Sequence, residues 1–207
     1  ADKIVELSKD CEGILCAVTD QFNKELINRL SPSVKIIANF AVGYGNIDLD
    51  AARQRNIVVT NTPEVLDDST ADISILLLLG ASRKVLEARR AAELQNWKWS
   101  ADFMLGKQMS NKRLGILGMG RIGRAVAKRA RGFNMEIHYH NRNQLSKDLE
   151  GGAIYHKTIK DLFNCSDFLS INCPATKETN KIINKETLEF LPDNVVIGNA
   201  ARGDVVD

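Results

Sequence analysis

Three glycines, Gly118, Gly120 and Gly123, have a spacing that could do chemistry, because they directly follow an apolar run. In a turn from a strand into a helix, this spacing permits a tight bend, close approach of a pyrophosphate and close helix–strand packing. The first amides of the helix and its positive dipole end then face the phosphates. The glycines therefore predict a dinucleotide site, although the spacing alone also suits a turn that binds nothing.

Arg202 is the second candidate, since it lies just beyond an apolar run, where a parallel α/β sheet collects its ligands. A guanidinium at such an edge can bind a carboxylate through two parallel hydrogen bonds and can stabilise negative charge that develops on a reacting oxygen. The alternative is an arginine that pairs with a helix end or with a surface acid.

The residues beyond the glycine turn bear on which dinucleotide would bind. Folds that prefer NAD(H) place an Asp or Glu about 20 residues after the glycines, bonded to the ribose 2′-hydroxyl. Here the predicted strand Glu136–His140 ends in Asn141-Arg142-Asn143, and the next carboxylate is Asp148. A carboxylate would repel a 2′-phosphate, whereas Arg142 would attract it. The sequence therefore favours NADP(H) over NAD(H).

The elements that must position these residues alternate between short apolar runs and helical patterns, which predicts an α/β fold with parallel strands. Strands are predicted at 13–18, 35–40, 57–60, 112–117, 136–140, 167–172 and 194–198, and helices at 24–30, 48–55, 121–133, 158–164 and 185–190. Ser69 or Thr70 is predicted to cap one long helix that runs from about residue 71 toward residue 95. We therefore predict a first domain over 1–68 and a nucleotide-binding domain over 69–207.

Composition argues against several classes of function. The 28 Lys and Arg residues nearly balance 26 Asp and Glu, so no broad charge field favours nucleic acid or a membrane surface. Cys11, Cys16, Cys165 and Cys173 show neither a metal-type pairing nor a disulfide framework. The apolar run 73–81 is too short to span a bilayer. We expect a cytoplasmic protein without a metal site.

Four further stretches, in order along the chain, resemble motifs of the D-isomer-specific 2-hydroxyacid dehydrogenase family. They are Asn39-Phe-Ala-Val-Gly-Tyr-Gly-Asn-Ile-Asp48, Asn61-Thr-Pro-Glu-Val-Leu66 with Ser69-Thr-Ala-Asp72, Ser170-Ile-Asn-Cys-Pro174 with Thr179, and Asn199-Ala-Ala-Arg-Gly203. The resemblance implies a Rossmann-type doubly wound parallel sheet, preceded by a partial flavodoxin-like α/β substrate domain.

The resemblance also implies a role for individual residues. Arg202 would be the catalytic arginine, and the backbone amides of Val42 and Gly43 would receive the substrate carboxylate, unless that loop is an ordinary strand-to-helix turn. Family members commonly pair through the nucleotide-binding domain, so we expect a homodimer with the apolar residues of 73–79 at its interface. The other matched residues would bind the cofactor: Thr70, Gly118, Met119, Gly120, Arg121, Ile122, Gly123, Asn141, Arg142, Cys173, Pro174, Thr179, Ala200 and Ala201.

The proton donor is not among these residues. The family uses a histidine held by a glutamate, and both follow the arginine segment. His138, His140 and His156 all precede Arg202. His138 and His140 alternate with Tyr139, which predicts one in the core and one beside the adenosine. We expect the sequence to be the interior of a longer enzyme, and these 207 residues alone to bind cofactor but turn over poorly.

The predicted function is NADPH-dependent reduction of a short 2-oxoacid, such as glyoxylate or hydroxypyruvate, to the D-2-hydroxyacid. The Asn-Arg-Asn strand ending and the Gly-Tyr-Gly-Asn loop look most like the glyoxylate/hydroxypyruvate reductase branch. A phosphoglycerate dehydrogenase-like enzyme is an alternative, but residues 42–46 provide no basic side chain for a substrate phosphate. A cofactor-sensing corepressor of the same fold is a second alternative, disfavoured by the intact Arg202.

Overall fold

A computed structural model of the chain describes residues 1–95 and 97–207 and divides them into two compact units, Ala1–Leu66 and Asp67–Asp207. The predicted domain boundary, between 68 and 69, lies two residues beyond this division. Each unit has its own parallel sheet and its own apolar core. In the part of the chain that is described, no helix combines the length and the apolar character needed to cross a membrane.

The first unit is a small parallel sheet with helices. Its strands lie side by side in chain order: β1 (Gly13–Ala17), β2 (Ile36–Phe40) and β3 (Val58–Thr60). Its helices are α1 (Asp2–Leu7), α2 (Lys24–Arg29) and α3 (Leu49–Gln54). The side chains of Asn23 and Asp48 cap α2 and α3 by accepting a hydrogen bond from a first-turn amide.

The second unit has five parallel strands in the order β6-β5-β4-β7-β8. They are β4 (Arg113–Leu117), β5 (Glu136–His140), β6 (Ile154–Tyr155), β7 (Phe168–Ile171) and β8 (Val196–Asn199). From β4 the chain first builds outward through β5 and β6, then returns to the other side of β4 for β7 and β8. This reversal leaves a crevice at the carboxyl ends of the strands beside β4, as in a doubly wound nucleotide-binding fold. The predicted fold is confirmed.

Six α-helices are described in this unit. They are α4 (Asp67–Ser82), α5 (Val85–Leu94), α6 (Arg121–Arg131), α7 (Lys147–Glu150), α8 (Ile159–Asn164) and α9 (Lys185–Leu188), with a short 3₁₀ turn at Gly203–Val205. The helix that follows the glycine turn, α6, buries Val126, Ala127 and Ala130 in the same core as Leu114 and Ile116 of β4. The basic side chains of α6 lie mostly outside that core, as its amphipathic pattern predicts.

The predicted start of the long helix is wrong. α4 begins at Asp67, so Ser69 and Thr70 lie within its first turn and do not cap it. Two consecutive acids, Asp67 and Asp68, occupy this first turn, where a negative charge favours the helix dipole. The acidic pair was therefore a better signal for the start than the hydroxyl residues.

The predicted continuity of this helix to residue 95 is also wrong. α4 ends at Ser82, Lys84 adopts a left-handed φ of +53°, and α5 starts again at Val85. The Ser82 carbonyl accepts a hydrogen bond from the amide of Lys107 (2.8 Å), so a later loop occupies the end of α4. This contact is tertiary, which is why the helical pattern of the sequence continues across the break.

The apolar residues of α4 that were assigned to a dimer interface are divided between two environments. Ile75 and Leu78 are buried in the core, whereas Ile73 and Leu76 are 51% and 61% exposed in the single chain. The homodimer stays a prediction.

Arg113 and Asp167 join the amino ends of the neighbouring strands β4 and β7. The Asp167 Oδ2 atom accepts hydrogen bonds from the Arg113 amide and Nε (both 3.0 Å), and Oδ1 accepts one from Nη2 (3.3 Å). The hydrogen bonds from the Arg113 side chain are the main reason that the pKa of the Asp167 carboxyl lies below its usual range.

We expect Asp167→Asn to lower the free energy of unfolding by about 1 kcal/mol near neutral pH. Because the folded-state pKa is lowered, the carboxylate stabilises the fold above the unfolded pKa of about 3.9. That contribution is lost as the pH falls through the lower folded pKa. Urea unfolding over a pH series should therefore show the two proteins converging in acid. Exposed Asp193→Asn is the control, and a difference that persists unchanged in acid would contradict the prediction.

Candidate cofactor and substrate site

The glycine turn connects β4 to α6, and two of its glycines cannot carry a side chain. Gly118 has φ +96°, and a Cβ there would lie 2.6 Å from the backbone nitrogen of Cys173. A Cβ on Gly123 would lie 2.3 Å from the Gly118 carbonyl oxygen. A Cβ on Gly120 would have no heavy atom within 4 Å. Two glycines thus permit close packing, whereas Gly120 leaves the backbone open to a ligand.

The backbone amides of this turn are suited to an anion. Gly120 is the N-cap of α6 and offers no side chain to the first-turn amides. Within the described ranges, the amides of Gly120 and Ile122 have no acceptor. The Ile122 side chain packs against the core, so this residue can reach a ligand only through its backbone. Together with the helix dipole, these donors are suited to a phosphate, and phosphate binding at these residues stays a prediction.

Met119 and Asn141 hold the turn in place. The Met119 side chain is buried, and its amide donates a hydrogen bond to Asn141 Oδ1 (2.7 Å). Both residues were predicted to bind the cofactor. This hydrogen bond fixes the glycine turn to the end of β5 and leaves the Asn141 Nδ2 group for a ligand.

Arg142 is exposed directly beyond Asn141. It has an acidic neighbour that the local sequence did not reveal, because Glu178 comes from the loop after β7. The pKa of the Glu178 carboxyl is lowered, chiefly by a hydrogen bond from Thr176 and to a smaller degree by the charge of Arg142. The two charges influence each other weakly, and no ion pair between Arg142 and Glu178 occurs among the described residues.

The loop 173–179 after β7 faces the glycine turn. Cys173 is buried with its amide against Gly118, and burial raises the pKa of its thiol. The Thr179 hydroxyl donates to the Pro174 carbonyl (2.6 Å) and accepts from the Thr176 amide (2.7 Å). Thr179, predicted to bind the cofactor, thus closes this loop, whereas Pro174 is exposed.

Asn172 is a residue of this edge that sequence reasoning missed. Its Nδ2 donates to Ser170 Oγ (2.9 Å), but its buried Oδ1 has no hydrogen-bond partner in the described residues. An unsatisfied buried acceptor costs about 1–3 kcal/mol. A donor from a bound ligand would remove that cost. Free amides, an open Gly120 and this acceptor together fit a dinucleotide at the turn.

Arg202 follows β8 at the same carboxyl edge, with its side chain exposed. Asn199 holds the segment, because its Nδ2 donates to the Arg202 carbonyl and its Oδ1 accepts from the Ala201 amide (both 2.9 Å). The guanidinium donates to the Ala201 carbonyl (2.9 Å) and has no acidic partner among the described residues. The alternative of an arginine paired with a surface acid is therefore not supported. Ala200, also predicted to bind the cofactor, is half-buried in this segment.

The loop with Val42 and Gly43 belongs to the first unit. Asn61 donates to the Val42 carbonyl (2.9 Å) and Asn39 to the Gly43 carbonyl (2.8 Å). In a trans peptide the N–H points away from the carbonyl, so the amides of Gly43 and Tyr44 face away from these asparagines. Within residues 1–95 and 97–207 those two amides have no acceptor, and the same holds for the amide of Val42, which was predicted together with that of Gly43. The loop therefore has the donors of an anion-binding concavity.

Two buried asparagines support this loop and were not predicted to matter. Asn39 and Asn46 bond to each other, and Asn46 Nδ2 donates to the Asp20 carbonyl (2.9 Å). Both lie in the motif that carried the family resemblance. The sequence could show their presence but not the carbonyl groups that they satisfy.

Thr70, another predicted cofactor residue, makes its hydrogen bond within α4. Its carbonyl accepts from the Ser74 hydroxyl (3.0 Å), and no bond between Thr70 and the glycine turn occurs in the described residues. Asp68 and Asp72, on either side of it, pair with Arg129 in the C-terminal half of α6.

Comparison with known proteins gives the family. Residues 75–207 match the NAD binding domain of the D-isomer specific 2-hydroxyacid dehydrogenases. The chain is 37% identical to glycerate dehydrogenase of Hyphomicrobium methylovorum, covering 100% of this chain and 65% of that protein. It is 40% identical to glyoxylate reductase of Thermococcus litoralis, covering 99% and 63%. The crystal structure of a glyoxylate reductase from Paecilomyes thermophila aligns with a TM-score of 0.92 at 39% identity, over 100% of this chain and 65% of that one.

The chain therefore belongs to the D-isomer specific 2-hydroxyacid dehydrogenase family, and the resemblance drawn from its motifs is confirmed. It spans somewhat less than two thirds of the length of these relatives.

Gly123→Ala and Gly120→Ala are expected to have different effects. The methyl group at 123 meets a carbonyl oxygen, so we expect unfolding to become easier by about 1–3 kcal/mol. The methyl group at 120 meets no protein atom but blocks a ligand, so we expect normal stability and at least about tenfold weaker NADPH binding.

Thermal unfolding and nicotinamide fluorescence titration measure these two effects. Gly80→Ala, in open space on α4, is the matched control and should leave NADPH binding unchanged. Equal losses of stability in the 120 and 123 variants would contradict the assigned roles.

Proposed function

We propose that this protein reduces a short 2-oxoacid of the glyoxylate or hydroxypyruvate type to the D-2-hydroxyacid with NADPH. The observation that carries the proposal is the pairing, at one edge of one sheet, of amide donors suited to a dinucleotide with an exposed guanidinium held by Asn199. The printed names of the relatives, glyoxylate reductase and glycerate dehydrogenase, support the same reaction class.

The dinucleotide, when bound, supplies the hydride. The chain's own residues would position and polarise the reactants. The glycine turn binds the pyrophosphate, and the amides of Gly43 and Tyr44 offer donors to a carboxylate. The Arg202 guanidinium stabilises the negative charge that develops on the ketone oxygen.

We assign no proton donor among the described residues. His138 bonds to Glu136 and to His156, and His140 bonds to the His156 carbonyl. These hydrogen bonds therefore join the histidines to Glu136 or to one another, and not to Arg202.

Arg202→Gln tests the reaction. Removal of a group that stabilises developing charge typically costs about 100–1,000-fold in kcat. We expect such a loss in NADPH oxidation with glyoxylate or hydroxypyruvate, with the Kd for NADPH nearly unchanged. Asn199→Ala should also lower kcat, because it releases the backbone that holds Arg202, and Arg202→Lys should recover only part of the activity. Full turnover by Arg202→Gln would exclude the catalytic role.

The preference for NADP(H) is the finer part of the proposal. It is supported by exposed Arg142 and by the absence of a carboxylate in 141–143, and it is opposed by Glu178 nearby. Attraction between a guanidinium and a phosphate is a charge-assisted hydrogen bond, which contributes about 1.5–3 kcal/mol.

Arg142→Asp should therefore weaken NADPH binding by more than about tenfold and leave NADH binding nearly unchanged. Glu178→Gln should strengthen NADPH binding, because it removes the opposing charge. Lys128→Asp, an exposed charge reversal on α6, controls for long-range electrostatics. Fluorescence titration with both nucleotides measures the ratio, and tighter binding of NADH by the unmodified protein would refute the preference.

A further inference from the structure

A cluster of histidine and cysteine side chains lies beside β5, away from the glycine turn. His138 is in the middle of β5 and is 6% exposed. His156 precedes α8 and Cys165 follows it, so this short helix brings both residues back to the strand. The ligand atoms of the three side chains all lie within 4.8 Å of one another.

Two of the three separations among these ligand atoms are close to those of a tetrahedral metal site. With Zn–N bonds of about 2.0–2.1 Å and Zn–S bonds of about 2.3 Å, tetrahedral geometry puts N and S about 3.6 Å apart and two N atoms about 3.3 Å apart. The Cys165 Sγ to His156 Nε2 distance is 3.6 Å, and the His138 Nδ1 to His156 Nε2 distance is 2.9 Å. The two nitrogens must therefore separate by about 0.4 Å. The third pair, Cys165 Sγ and His138 Nδ1, lies within 4.8 Å and must reach about 3.6 Å in a tetrahedral site.

Glu136 orients His138 for this role. Its Oε1 lies 2.6 Å from His138 Nε2, and a carboxylate can only accept, so Nε2 carries the proton. The Nδ1 lone pair then points toward His156. A carboxylate that fixes the far nitrogen of a ligating histidine is the usual support of a protein metal site. Glu136 is itself 59% exposed and lies outside the triad.

We propose that His138, His156 and Cys165 bind a borderline transition-metal ion, of which Zn²⁺ is the best match. Two imidazoles and a thiolate favour zinc-like ions over Mg²⁺ or Ca²⁺, which prefer oxygen ligands. Three protein ligands leave the fourth position to water. The cysteine spacing led us to expect no metal site, and this proposal revises that expectation. The proposed site depends on residues that only the fold brings together.

Binding of the metal ion releases one proton from the protein. The Cys165 thiol proton passes to the buffer as the Sγ–metal bond forms, and the His156 proton moves from Nε2 to Nδ1 so that Nε2 can bind the ion. No residue of the triad belongs to the proposed cofactor or substrate machinery. The proposal therefore stands apart from the proposed function.

Co²⁺ titration of the reduced, metal-free protein tests the site. We expect one Co²⁺ per chain, with the visible absorption of tetrahedral Co²⁺ and a near-ultraviolet thiolate charge-transfer band, both removed by equimolar Zn²⁺. Cys165→Ser should abolish the charge-transfer band, and Glu136→Gln should weaken binding by about 10–100-fold. Cys11→Ser, which removes an exposed thiol elsewhere, is the matched control and should change nothing.

Thermal unfolding and NADPH binding establish that each variant is folded. Absence of the bands in the folded, unmodified protein would show that the three side chains form only a hydrogen-bonded chain. Bands that survive in Cys165→Ser, or that disappear in Cys11→Ser, would equally overturn the proposal.

Discussion

The structure depends most on one close approach, where the end of β4, the start of α6 and the loop after β7 meet through their main chains. There is no room for a side chain between Gly123 and the Gly118 carbonyl, nor between Gly118 and Cys173. This contact fixes the direction in which α6 begins, and therefore where its amide donors and positive dipole end lie. The crevice beside β4, the placement of Asn172 and the supported position of Asn141 all follow from it.

Asparagine side chains do much of the remaining positioning. Asn39, Asn46, Asn61, Asn141 and Asn199 each bond to backbone groups in loops at the carboxyl ends of strands. The backbone carbonyls and amides of a loop lack the hydrogen-bond partners that a sheet or a helix would supply, so side-chain amides hydrogen-bond to them. In the loop of Val42 and Gly43, asparagine side chains donate to the backbone carbonyls. The backbone amides of Gly43 and Tyr44 therefore point away from these side chains. Most of these side chains therefore act by holding a loop in place, whereas Asn141 also keeps its Nδ2 group for a ligand.

The sequence predicted the elements with strong local signals and missed those that depend on tertiary contacts. β5 lies at the predicted residues, 136–140, and the glycine turn leads into α6 as expected, because apolar runs and glycine spacing are local features. The elements α1, α7 and β6 were missed, and none of them contains a fully buried apolar residue. The end of α4, the weak charge interaction of Glu178 with Arg142 and the cluster of His138 with Cys165 all arise from residues distant in sequence, so no local pattern could reveal them.

The central claim is that a dinucleotide binds at the carboxyl edge of the second sheet through the amides of the glycine turn. Amide chemical shifts of the ¹⁵N-labelled protein during NADPH titration test it most directly. The largest changes are predicted at Gly120 and Ile122, with small changes at the opposite, amino end of the sheet around Arg113. Saturation by NADPH without a change at Gly120 and Ile122, or with the largest changes around Arg113, would contradict the claim.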